Sequence, residues 1–244
     1  MNIRKSVSDW FSDNDTPGKK LFGVFSKIRR NHQAEKAVQT LIENSHLEMS
    51  FFVMCSLSGI LAAIGILLND TAILIAAMVL APLLNPVLAM AAGLTALNKK
   101  LIMYALKSFV GGIISVVLIS AIFVYFWDWH GYTFDLTSFE EKFSTMSQII
   151  FTAAFVSGFS GVYAWLRAKG QSNIIGVAIA VSLVPFISFF GILLGLQKFD
   201  KMWLYLGAFT INILAIISGA IIAFLYLGFG ARTKKIDQQL EKVN

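Results

Sequence analysis

Charge is what this sequence has least of. Only 14% of its 244 residues are Asp, Glu, Lys or Arg and 57% are apolar, whereas a soluble domain carries about 25% charged residues. The mean hydropathy is +0.71. Such a chain reads as an integral membrane protein, and runs of ~20 apolar residues agree. The single cysteine, Cys55, excludes an intrachain disulfide. The three histidines, His32, His46 and His130, lie outside the apolar runs and form no apparent metal triad. No carboxylate lies within an apolar run. That removes paired catalytic acids and the buried acid that proton-coupled carriers often use. No H-E-x-x-H, G-x-S-x-G or P-loop pattern occurs. The expectation is therefore no enzyme activity, no cofactor and no metal. The first 20 residues hold no apolar h-region or small-residue cleavage site, so no signal peptide is expected.

Proline is scarce as well, and three of the four, Pro82, Pro86 and Pro185, fall inside apolar runs. The run 71–93 carries Ala76-Ala77-Met78-Val79-Leu80-Ala81-Pro82-Leu83-Leu84-Asn85-Pro86. Each proline lacks a backbone donor and frees the carbonyl four residues back, here those of Met78 and Pro82. Two breaks are expected, and in hydrocarbon the freed groups need protein, water or a ligand. A second apolar run, 174–197, carries Pro185 at nearly the same depth.

Six spans are expected, at about 51–68, 71–93, 101–126, 147–166, 174–197 and 202–229. Asn69 and Asp70 alone join the first two, as a tight turn or gate at the outer face. Tyr125, Phe126, Trp127 and Trp129 end the third span as an interface belt. In the acidic loop that follows, Ser138-x-x-Glu141 resembles a capping box. Ahead of the membrane, residues 1–50 form an interfacial or cytoplasmic unit of amphipathic helices. Within 19–30, Leu21, Val24, Phe25 and Ile28 share a face crowded by Lys19, Lys20, Lys27, Arg29 and Arg30. This is the pattern of a helix lying on a membrane surface, with partner docking as the alternative. Residues 230–244 form a polar tail. With both termini cytoplasmic, seventeen Lys and Arg face inward and three outward, as the positive-inside rule requires. The net charge of +6 thus reflects topology and anionic lipid rather than nucleic acid.

The two halves recur. Setting Pro82 on Pro185 brings Ala77 onto Ala180 and Ala105 onto Ala208, and Ser58-Gly59 onto Ser160-Gly161 with one residue gapped. Three spans reverse direction, so 51–126 and 147–229 would be inverted-topology repeats whose second helices are proline-broken. The expected fold class is an all-α integral membrane protein of six helices in that arrangement.

At these residues the chain resembles a known family, the membrane proteins grouped as domain of unknown function 389. The family's first motif, roughly G-A-M-x-x-A-P-L-M-x-P, is similar to 76–86, with Ala76 for the usual glycine. Its second, roughly G-V-A-I-A-x-x-L-V-P-P, is similar to 176–186, with Phe186 for the last proline. Ser157-Gly158-Phe159-Ser160-Gly161 and Asn212 also match. The resemblance covers about 51–229 and implies a bacterial inner-membrane location, but no agreed activity.

Polar residues inside the spans are the candidate pathway, because each is costly in lipid. They are Asn85 between the prolines, Ser182 one turn before Pro185, and Asn212, and with them the broken-helix residues Met78, Pro82, Pro86 and Pro185 are expected to line the path; Ser188 lies one turn after Pro185. The bland alternatives are hydroxyls bonded to their own helix for the serines and a helix-to-helix bridge for Asn212. Lys107 and Arg167 are expected to snorkel. Small residues, Gly191-x-x-x-Gly195 among them, permit close helix contact. The expected function is channel- or carrier-like transport of a small ion or polar solute by a homo-oligomer in the bilayer. The alternative is a membrane scaffold or sensor acting through the basic N-terminal helix.

Overall fold

The computed structural model describes residues 48–145, 147–167 and 183–227, and they form eight α-helices and one 3-10 turn. Helix α1 (Met49–Leu67) turns through Leu68–Asp70 into α2 (Thr71–Leu80). After a break comes α3 (Leu84–Thr95), then the long α4 (Lys99–Trp129). A short α5 (Thr137–Thr145) precedes α6 (Ser147–Arg167). Helix α7 (Leu183–Gly195) leads through the 3-10 turn Phe199–Lys201 into α8 (Met202–Tyr226). The basic segment with Lys19, Lys20, Lys27, Arg29 and Arg30, the motif 176–182 with Ser182, and the tail lie outside the described residues.

Among the described residues three helices are long and apolar enough to cross a bilayer: Met49–Leu67, Lys99–Trp129 and Phe199–Tyr226 with its 3-10 turn. The pair α2 and α3, bent by 53°, counts as a fourth where it crosses as one broken span and adds none where it is a re-entrant loop. Ile149–Ala164 and Leu183–Gly195 are apolar but shorter. By helix length and composition the chain is a multi-pass membrane protein. At 31 residues, α4 reaches about 46 Å, beyond the ~30 Å hydrocarbon core. Its surplus turns carry the aromatic end, where Trp127 meets Phe126 and Tyr132 edge to face.

The expectation of two breaks at Pro82 and Pro86 is corrected to one. Ala81, held extended at φ −74°, ψ 123° by the proline after it, ends α2. Pro86 is the third residue of α3. The first N–H groups of a helix have no intrahelical acceptor, so a proline there disturbs nothing.

Two tight corners are built alike. Asn69 and Leu97 take positive φ (51° and 52°). Asp70 N–H and Asn98 N–H then close on Gly65 and Gly93 carbonyls at 2.8 and 2.9 Å. The Asp70 carboxylate accepts from Ala72 and Ile73 N–H, and the Asn98 side chain from Leu101 N–H, capping the helices that follow. A Cβ on Gly65 would lie 2.9 Å from Leu74, and one on Gly93 2.8 Å from Ile102. Glycine at that position lets the two helices fold flat on each other. A third turn, with Gln197 at φ 57°, repeats the backbone bonds after α7.

Helices α1, α2, α3, α4, α7 and α8 share a buried core. A second apolar cluster closes one end of the bundle, where Phe189 packs against Phe139 of α5 and Tyr205 of α8 at ring distances of 4.7 and 4.6 Å. The cap of α5 differs from the expected capping box at Ser138. Asp135 instead accepts from the Thr137 N–H and hydroxyl.

Candidate functional site

The break and the helices around it are tied by buried hydroxyls. Ser58 of α1 donates to the Ala77 carbonyl of α2 at 2.8 Å, one turn before Pro82. On the next residue the Gly59 carbonyl accepts from Ser120 of α4 at 3.1 Å. Ser188 of α7 sits 2.9 Å from the Ser120 hydroxyl and 3.4 Å from the same carbonyl. Two hydroxyl hydrogens serve these contacts. The shorter distances give Ser120 donating to Gly59 and Ser188 donating to Ser120. Ser58, Ser120 and Ser188 are all wholly buried. A polar seam thus crosses α1, α2, α4 and α7 in the middle of an apolar bundle. The reading of Ser188 as a hydroxyl bonded to its own helix is corrected: it bonds across helices. Ser120, a serine inside an apolar run like the others, joins it.

Around the break, Met78, Pro82 and Asn85 are half-buried and Pro86 is buried. Pro185 is buried in the first described turn of α7. Asn69 and Asp70 have the turn-forming contacts given above. Leu83, within the break, reaches over Gly112 of α4 together with the Phe51 ring. A Cβ on Gly112 would lie 2.5 Å from Leu83 Cδ2 and 3.1 Å from the ring.

Asn212 lies elsewhere. It is 3% exposed in the middle of α8, and its Nδ2 has no hydrogen-bond partner. It therefore does not act as the helix bridge that a buried asparagine would ordinarily be. It lines a cavity of about 490 Å³ with Ile150 and Phe151 of α6, Phe186 of α7, and Trp203, Tyr205, Gly207, Ala208 and Ile211 of α8. Met78, Pro82, Asn85, Pro86 and Pro185 are not among the lining residues. The structure thus divides the expected pathway residues between two places. Among the described residues no group of three or more His, Cys, Asp or Glu could hold a metal ion.

The profile described as "Domain of unknown function (DUF389)" matches residues 78–218, more than half of the chain. The chain belongs to the DUF389 family. The matched region begins in α2, just before the break, and ends late in α8, so both Asn85 and Asn212 lie inside it. Helix α1, with Ser58 and Gly59, lies outside it. The uncharacterized protein MJ0678 of Methanocaldococcus jannaschii is 28% identical over 186 residues, which is 75% of this chain and 56% of that protein. The chain thus spans little more than half the length of that relative. No solved structure matches.

Proposed function

We propose that this DUF389 protein is a channel- or carrier-like transporter of a small ion or polar solute, built as two inverted three-span halves. The observation that carries the reading is crossed packing. Helix α3, which follows the first break, packs on α4 of its own half and on α8 of the other. Helix α7, which carries Pro185, packs on α8 of its own half and on α4 of the other. Each half exchanges the same element with its partner, as a pseudo-two-fold relation requires.

Pairs of residues 99 or 100 apart keep this relation. Gly59 faces the Val116 carbonyl, and Gly158 faces that of Ile216. The positive-φ residues Leu97 and Gln197 end α3 and α7 by the same backbone bonds. Phe109 and Phe209 stack on each other, with centroids 6.3 Å apart and planes 13° apart. Equivalent residues that touch belong on the axis relating two halves. In this register Pro86, rather than Pro82, is the counterpart of Pro185.

Two like halves of opposite orientation support states open to either side, with a path at the broken helices. Asn85 and the half-buried Met78 and Pro82 are its first-half components; Ser182 and Pro185 belong to the second, and Asn212, which lines the separate cavity, is left out of it. The positive-inside count supports cytoplasmic termini in a bacterial inner membrane. Six spans make a thin bundle, which supports a homo-oligomer.

The test is flux through the purified full chain in liposomes, with a panel of monovalent ions and small osmolytes. Asn85→Leu is expected to lower flux at least several-fold with oligomer size unchanged. Flux equal to the parent would remove Asn85 from the path. A folded oligomer that passes no member of the panel would favour a scaffold or sensor that works through the basic segment 19–30.

A further inference from the structure

The cavity beside Asn212 needs an occupant of a particular kind. From Trp203 to Asn212 it follows nine residues of α8, about 14 Å. Its mouth is bordered by residues that face out of the bundle. Trp203 is 77% exposed, and Leu204, Ile211 and Phe151 are also exposed. On a helix of membrane-spanning length, that outside is lipid. Among the described lining residues the one charged side chain, Glu140, is paired with Lys201. At the deep end the buried Asn212 amide has an unmade hydrogen bond, and the buried Phe186 supplies an aromatic wall. An ion there would be buried without a counter-charge. A hydrocarbon chain would leave the amide unpaired. The volume suits a ligand rather than a water or two.

We propose that this cavity binds a neutral, ring-bearing, lipid-soluble molecule that enters from the bilayer and presents a carbonyl oxygen to the Asn212 amide. Quinones and other apolar ring ketones are the chemical class. The inference needs only the cavity and does not rest on the transport reading, and its test measures binding without flux.

The test uses the purified full chain in lipid nanodiscs, titrated with decylubiquinone and, separately, with decylbenzene, which lacks the carbonyl. Quenching of tryptophan fluorescence reports quinone occupancy, and decylbenzene is scored by its competition with the quinone for that quenching. Saturable quenching by the quinone is expected, with Trp203→Phe removing most of its amplitude. Asn212→Leu should weaken apparent affinity about tenfold, the loss of one hydrogen bond. Gly207→Phe fills the cavity from a position where an added Cβ meets nothing within 4 Å. It should abolish saturation with Asn212 intact, which keeps the test decisive if the leucine variant misfolds. Three results would overturn the proposal: quenching that rises linearly with membrane concentration, equal affinity for decylbenzene, or saturable binding unaffected by Gly207→Phe.

Discussion

Gly158 and Gly219 set how closely α6 and α8 approach. A Cβ on Gly158 would lie 2.0 Å from the Ile216 carbonyl oxygen, and one on Gly219 2.0 Å from that of Phe155. Backbone cannot give way as the end of a side chain can, so Gly158→Ala forces the helices apart and is expected to cost about 3 kcal/mol or more. The buried serine seam is a weaker link. Ser120→Ala removes two contacts among already packed atoms, and membrane hydrogen bonds average about 0.6 kcal/mol. Reversible unfolding in mixed micelles should rank Gly158→Ala well below Ser120→Ala in stability. The opposite ranking would mean that hydroxyl bonds rather than close packing hold the bundle. The sequence shows the small residues plainly, and Gly191 and Gly195 do meet the Val117 and Ala121 carbonyls of α4. It does not show which helix a serine faces. A hydroxyl in an apolar run satisfies its own turn or a neighbour's equally well, and only the packing of Gly59 against α4 brings Ser120 and Ser188 to one carbonyl.

At the scale of elements, the break between α2 and α3 and the seat of α5 are the parts open to change. Pro82→Ala restores an N–H at the break, but Leu83 and Ser58 hold the bent form from outside. The 53° bend should therefore persist, with distances across it, from spin labels at exposed positions on α2 and α3, within about 3 Å of the parent. A straightened helix would show that the proline alone makes the bend. Two residues before helix α5 stands Asp135, whose carboxyl is held below its usual range by the hydrogen bonds from Thr137. The folded state thus favours the ionised form. Its contribution is full above the ordinary carboxylate pKa and is lost as pH falls through the lowered folded value. The Thr137 amide resonance should shift only at acid pH, and Asp135→Asn should remove that titration. Sequence places a cap in this loop but picks Ser138. Asx and Ser caps two or three residues apart are equivalent on paper, and the choice falls to the packing of Phe139 on Phe189. The single break is likewise visible from Pro82, whereas Pro86 reads as a second break only until its place in the first turn of α3 is known.

At the scale of the whole molecule, the account depends on two halves that run in opposite directions. The turns at Leu97 and Gln197 share a conformation and a place in their halves, so opposed topology puts them on opposite sides of the membrane. Composition made the membrane class and the helix class legible, because few charges and long apolar runs leave no other solvent. It left the register between halves ambiguous. Weak identity aligns prolines as readily one helical turn out of step, and the stacking of Phe109 on Phe209 supports the proposed offset of one hundred, which no local pattern contains. The most direct measurement is accessibility of single cysteines to a membrane-impermeant thiol reagent, in a Cys55→Ala background and in sealed, oriented vesicles. Leu97→Cys and Gln197→Cys both occupy exposed turns. The account predicts labelling of Gln197→Cys from the outer side only, and of Leu97→Cys only after the vesicles are opened. Labelling of both variants from the same side would contradict the inverted halves and, with them, the transport reading.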